Sequence, residues 1–152
     1  MKNNFLKLSF LIMSALLSNS MDTYSANLPE DDAKPKNVCK TQSSKFIYEK
    51  DIPWEPAEKG VTRQILGYNG QIMMVKVKFE KGAIGSAHTH YHTQVTYVAS
   101  GKFEFTVNGE KKIVNAGDGI YMEPDVLHGC VCLEAGVLID CFSPMRESFL
   151  KK

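Results

Sequence analysis

The 152-residue chain has no long apolar run, almost no charge imbalance, two arginines, one tryptophan and four histidines. Each scarcity excludes something. A membrane-crossing helix needs about 20 apolar residues, and the stretch from Leu8 to Leu17 is too short. Eighteen basic residues against 17 acidic ones leave a net charge of +1. Binding to nucleic-acid phosphates calls for a basic surface, so nucleic acid is not an expected partner. With arginine only at Arg63 and Arg146, planar two-pronged recognition of a carboxylate has two candidates. Helical periodicity is also scarce: only "PMRESFLKK" at the C-terminus reads as a helix, and it is short. No internal repeat is visible.

The opening "MKNNFLKLSFLIMSALLSNS" has two lysines, a short apolar run and then small polar residues. That order is a secretory signal, so residues 1–26 are expected to be removed, after Ser20 or Ala26, and the protein exported to the periplasm. No cysteine flanks the apolar run, which speaks against a lipid anchor; no membrane association is expected after cleavage. The remainder carries 16 basic and 16 acidic residues. Residues 27–45, polar with two prolines, read as a flexible lead-in, leaving a single domain over residues 46–152. Export permits disulfides among Cys39, Cys130, Cys132 and Cys141, but the count does not establish any. Cys130 and Cys132, two apart on a strand, share a face, which disfavours a bridge between them and suits buried thiols.

Strand and turn signals fill the domain. "QIMMVKVKF" is rich in β-formers, and "QVTYVAS" and "KFEFTV" alternate on either side of Gly101. Asn108-Gly109 is a two-residue hairpin turn, with "KKIV" returning. "AGDG" turns into the short strand "IYM", and "HGCVCLEAGVLIDCF" reads as strand, turn, strand. Many short strands at regular spacing predict an all-β sandwich or jelly-roll barrel.

Against this background "GSAHTHYHTQVTY" stands out, because it holds three of the four histidines: His88, His90 and His92. In an extended strand these and Gln94 point to one side, barring a bulge. Histidine is the commonest metal ligand at neutral pH, and the isolated His128 could complete a site. A lone histidine is more often a packed core residue; three in alternation with a distant fourth point to a metal.

The same residues carry a resemblance. "GAIGSAHTHYHTQVTYVASG" resembles the first cupin motif, with Gln94 where glutamate is usual, and "GDGIYMEPDVLHG" resembles the second, ending at His128. Glu123 and Asp125 depart from the usual proline and glycine of that turn. "VTRQILGYNGQIMMVKVKFEKGA" and "LEAGVLIDCFSPMRESFL" extend the likeness, over about residues 50 to 150, to the pectin-degradation cupins called KdgF. The resemblance implies a single-domain jelly-roll cupin with a short C-terminal helix. It implies a divalent transition metal (nickel, zinc, manganese or iron) held by His88, His90, Gln94 and His128, with Asp140, Phe142 and Arg146 working on the substrate. That substrate would be a 4,5-unsaturated monouronate from pectin or alginate breakdown, opened to the linear 5-keto-4-deoxyuronate. Many cupins also pair through barrel edges, so a homodimer is expected.

The residues suit those roles. Asp140 and Phe142 share a strand face with Leu138, so a carboxylate would face the metal pocket beside an aromatic wall. Arg146 could fork onto a uronate carboxylate. The family generally works in the cytoplasm, whereas this chain carries an export signal. Two rivals share the ligand set: an iron-dependent cupin dioxygenase, and a metal-containing sugar-binding module without turnover.

Overall fold

A computed structural model describes residues 42–150. The segment expected to be a signal peptide, most of the expected lead-in and Cys39 lie outside the described residues. Eight strands build the domain: β1 (Glu55–Glu58), β2 (Val61–Asn69), β3 (Ile72–Phe79), β4 (Ile84–His88), β5 (Thr93–Val107), β6 (Glu110–Asn115), β7 (Gly119–Met122) and β8 (His128–Ser143). They run in the order β1-β2-β3-β8-β5-β6, with β4 also beside β8 and β7 also beside β5. Each of these pairings is antiparallel. The architecture is the jelly roll expected of a cupin.

Two long strands organise it. β5 and β8 pair from Thr93↔Ser143 to Val107↔His128, with register shifts between Val98 and Phe103. At the shift the backbones nearly touch. A Cβ on Gly136 would lie 2.2 Å from the Ser100 carbonyl oxygen, and one on Gly101 (φ +83°) 2.6 Å from that of Glu134. Only glycine allows such an approach. The expected turn at "LEAG" is therefore an irregularity inside one continuous strand. Beyond it the strand pair changes neighbours: β3 and β7 join the end carrying Gln94 and Asp140, while β4 and β6 join the end carrying Phe105 and His128. At the other predicted turn, Asn108 and Gly109 both have positive φ (48° and 82°), the backbone of a tight hairpin.

Alternation along β5 puts Gln94, Thr96 and Val98 inside, and Val95 and Tyr97 outside. Val61, Phe79, Val98, Phe103, Phe105 and Leu138 form one apolar cluster; Met73, Val75, Phe142 and Met145 form a second. Full burial of such side chains contributes about 1.5–3 kcal/mol each. Cys130 and Cys132 lie within the first cluster as free thiols, and burial pushes Cys130 up to about 12. Cys141, on the opposite face of β8, is also free.

Both ends of the domain differ in detail from the sequence reading. Ordered contacts start before Phe46, because Ser43 exchanges backbone and hydroxyl hydrogen bonds with Tyr68 of β2. The C-terminal helix is a single turn of 3-10 helix, Glu147–Phe149. No helix among the described residues is long and apolar enough to cross a membrane.

Candidate metal centre and active site

The pairing of β4 with β8 brings the two histidine segments together. His88, the last residue of β4, lies opposite His128, the first of β8. β4 ends there, so His90 sits in the loop that follows, which Asp125 fastens by donating its N–H to the His90 carbonyl at 2.8 Å. Gln94 enters from the inner face of β5. Ring centroids are 4.6 Å apart for His88–His128, 5.5 Å for His88–His90 and 4.9 Å for His90–His128. One nitrogen from each ring lies within 4.8 Å of the others.

Each ring is held by its far nitrogen. Nδ1 faces a backbone carbonyl in all three: Ser86 for His88 at 2.8 Å, His92 for His90 at 3.2 Å, and Val126 for His128 at 2.9 Å. A carbonyl can only accept, so in His88 and His128 Nδ1 carries the proton and Nε2 keeps its lone pair; His90 meets an oxygen at both nitrogens and takes the same tautomer when its Nε2 serves a metal. His128 Nε2 is buried without a hydrogen-bond partner. His90 Nε2 points at Gln94 Oε1 across 3.0 Å, so two potential ligand atoms converge on one place. Both features suit a bound cation. Burial first, then the charge of Arg146, brings His90 down to about 4; burial also lowers His128. Both imidazoles are thus neutral near pH 7, the form that ligates metals.

His92 does not join them. The bend at Tyr91 and His92 breaks the strand alternation that would have aligned all three histidines. The His92 ring is buried, stacked on Tyr91 at 4.0 Å, with Nε2 3.7 Å from Glu147 Oε2. Tyr91 donates its hydroxyl to the same carboxylate at 3.1 Å. This cluster docks the C-terminal turn, and with it Arg146, onto the metal loop.

A cavity of about 340 Å³ opens over the histidines, its wall including Gln94, Asp140, Phe142 and Arg146. That size suits a small organic ligand. Asp140 accepts a hydrogen bond from Thr96 Oγ1 at 2.5 Å. Burial raises its carboxyl to about 6, against the hydrogen bonds from Thr96 and Gln94 and the charge of Arg146. Near neutrality it is therefore largely ionised yet more basic than an ordinary aspartate, as a general base needs. Arg146 reaches into the cavity, with Nη1 3.4 Å from His88 Nε2 and its guanidinium 4.5 Å from the Phe149 ring centroid. It is not the solvated terminal charge that its place in the sequence also allowed. Phe142 is both wall and core, edge-on to His90 at 5.6 Å and to Phe149 at 5.7 Å.

The structure adds residues that the motifs did not mark. Arg63 lines the same cavity and stacks on Phe149 at 4.0 Å, so both arginines of the chain flank one aromatic ring. Thr96 is fully buried between Gln94 and Asp140. Its signal was its position two residues beyond Gln94 on an alternating strand.

Residues 75–140 match the cupin domain family. The pectin degradation protein KdgF of Dickeya dadantii is 44% identical over 108 residues, covering 70% of this chain and 98% of the relative. The chain belongs to the KdgF family of cupins. Among solved structures, an RmlC-like cupin from Shewanella frigidimarina is 45% identical with a TM-score of 0.69, covering 71% of this chain and 97% of the other. KdgF from a Halomonas species is 35% identical with a TM-score of 0.67, covering 70% and 99%. The histidine triad, Gln94 and Asp140 all fall within the stretch that matches the cupin domain family.

Proposed function

We propose that the protein opens the ring of a 4,5-unsaturated monouronate released from pectin or alginate, giving the linear 5-keto-4-deoxyuronate. The observation that carries this reading is the placement of a basic carboxylate, Asp140, and a guanidinium, Arg146, in one small cavity over the histidine triad. Membership of the KdgF family supports the substrate class. His88, His90, Gln94 and His128 would hold a divalent transition metal such as nickel, zinc, manganese or iron. When bound, that ion supplies Lewis-acid polarisation to an anionic substrate, undiminished by any charged ligand.

The protein's own groups account for substrate binding and for the first proton movement. Arg146 grips the C6 carboxylate and Phe142 packs beneath the sugar ring, which fixes the anomeric hydroxyl towards Asp140. Asp140 takes the proton from O1. The C1–O5 bond breaks, C1 becomes the aldehyde, and the electron pair is left on the enolate at C5. A proton delivered to C4 turns that enolate into the ketone. One proton leaves O1 and one arrives at C4, so the reaction is an isomerisation and consumes no oxidant.

The deciding experiment adds unsaturated galacturonate monomer to purified metal-loaded protein under nitrogen. Absorbance of the conjugated C4=C5 bond should fall. A strict requirement for oxygen would indicate a dioxygenase instead, and uronate binding without turnover a sugar-binding module.

Arg146→Ala should lower kcat/KM at least about tenfold, since hydrogen bonds to charged groups contribute roughly 1.5–3 kcal/mol each. Arg146→Lys should also impair the enzyme, because a point charge replaces a rigid fork. An analogue lacking the carboxylate should be a poor substrate and indifferent to either change. Equal losses on both substrates would remove Arg146 from carboxylate recognition.

We further place the reaction in the periplasm, from the signal at residues 1–26, and the protein in a homodimer. Val95, Tyr97 and Tyr121 are 48%, 51% and 59% exposed on adjoining strands β5 and β7, and Met74 on β3 is 42% exposed. Such an apolar sheet face suits self-association. Tyr97→Glu should halve the mass seen by light scattering; an unchanged mass would exclude this face.

A further inference from the structure

The Gln94 side chain raises a question that its role as a ligand does not answer. An amide has an oxygen end and a nitrogen end of nearly equal size, and only the oxygen can face a cation. Something must choose between them.

Thr96 is placed to do so. It is fully buried, and its hydroxyl lies between Gln94 Nε2 at 3.0 Å and Asp140 Oδ1 at 2.5 Å. A hydroxyl has one proton to give and lone pairs to receive with. The Asp140 carboxylate can only accept, so the Thr96 proton goes to it. The Thr96 oxygen is then an acceptor, and the group at position 94 must donate. Gln94 satisfies it by turning its NH2 inward, where it also meets the Asp140 carboxylate, and this sends Oε1 towards His90 Nε2 at 3.0 Å. A reversed amide would set its oxygen against the Thr96 lone pairs and its NH2 against the metal. A carboxylate at position 94 would leave two acceptors competing for one proton.

We propose that Thr96 is a positioning residue: through one hydroxyl it orients the Gln94 oxygen into the metal site, restricts that ligand to an amide, and ties it to Asp140. The inference rests on the reading of Gln94 as a metal ligand, and the test separates the two.

Cobalt(II) is the probe, because its visible d–d bands report the donor set while titration gives the affinity. Gln94→Ala should weaken cobalt binding and alter the spectrum; if it does neither, Gln94 is not a ligand and the premise falls. Given that premise, Thr96→Val, which keeps the shape and removes the hydroxyl, should weaken cobalt binding about 10–100-fold, as loss of a group supporting a ligand typically does. Its spectrum should move in the same direction as that of Gln94→Ala. Thr96→Ser should restore both. Wild-type affinity in Thr96→Val, or failure of serine to rescue, would overturn the proposal.

A second arm covers the case in which valine disturbs the fold. Gln94→Glu alone should distort the site, because two carboxylates then compete for the Thr96 proton. Adding Asp140→Asn supplies the missing donor from the other side and reverses the chain of hydrogen bonds. The double variant should therefore bind cobalt at least about tenfold more tightly than the product of the two single effects predicts. In the Thr96→Ser background this coupling should persist. In Thr96→Val it should shrink, leaving only the repulsion between two carboxylates. Purely additive effects with threonine present would overturn the proposal.

Discussion

Asp140→Asn is expected to lower kcat by about a hundredfold to ten-thousandfold, the usual worth of a positioned general base, with fold and metal content preserved. The amide nearly matches the carboxylate in shape, and its oxygen can still accept the proton of Thr96 Oγ1. The packing of the neighbouring Phe142 against Met73 and Val75 is untouched by the change. What disappears is the ability to take a proton near neutral pH. Burial has lifted Asp140 to about 6, which places its conjugate base in the useful range; an amide has no corresponding form. The measurement is kcat from the loss of C4=C5 absorbance, alongside metal content and thermal midpoint. A variant retaining half the wild-type rate would return Asp140 to a structural role, as an anchor for Thr96. Loss of rate together with loss of metal would show that its chief task is to hold the Thr96–Gln94 chain.

Much of this site could be read along the chain, and the unread parts share a physical cause. The alternation of "QVTYVAS" and "KFEFTV" shows in the pattern of buried and exposed side chains on β5. Asn108-Gly109 fixes its hairpin because positive φ at both positions is a local demand. His88, His90, Gln94 and His128 were legible for another reason: their spacing matches a known pair of motifs, and the β4–β8 pairing brings those motifs together. His92 was misplaced because alternation holds only while a strand lasts, and β4 ends at His88. The continuity of β8 was hidden because "LEAG" has the composition of a turn, while the close approach of Gly136 to Ser100 is a contact between paired strands far apart in sequence. Arg63 and Phe149 meet across the cavity from β2 and the C-terminal turn, and no local pattern announces such a meeting. Thr96 is the instructive case. Its position on the inner face was predictable, but its importance depends on what Gln94 and Asp140 do on either side of it.

The paired change His88→Ala, His90→Ala should abolish metal binding and activity together. It removes two of the three imidazoles whose ligand atoms lie within 4.8 Å of one another, and it leaves Gln94 Oε1 without the nitrogen it faces. Two ligands remaining from four cannot close a metal site. Elemental analysis should fall from about one ion per chain to background, and the rate on unsaturated uronate should fall with it. Folding offers a second and independent readout. An ion that binds only the native state stabilises it by RT ln(1 + [L]/Kd), about 4.1 kcal/mol at a thousandfold excess over Kd. Added nickel or zinc should therefore raise the thermal midpoint of the wild type and leave that of the double variant where it was. The two readouts guard against different errors. Activity lost with metal still bound at full stoichiometry would put the ion elsewhere in the protein. A midpoint that still rises with metal in the double variant would do the same, even if the variant were too unstable for elemental analysis. The variant should nonetheless fold, because His88 is exposed and His90 only half-buried, and neither belongs to the two apolar clusters that hold the barrel together.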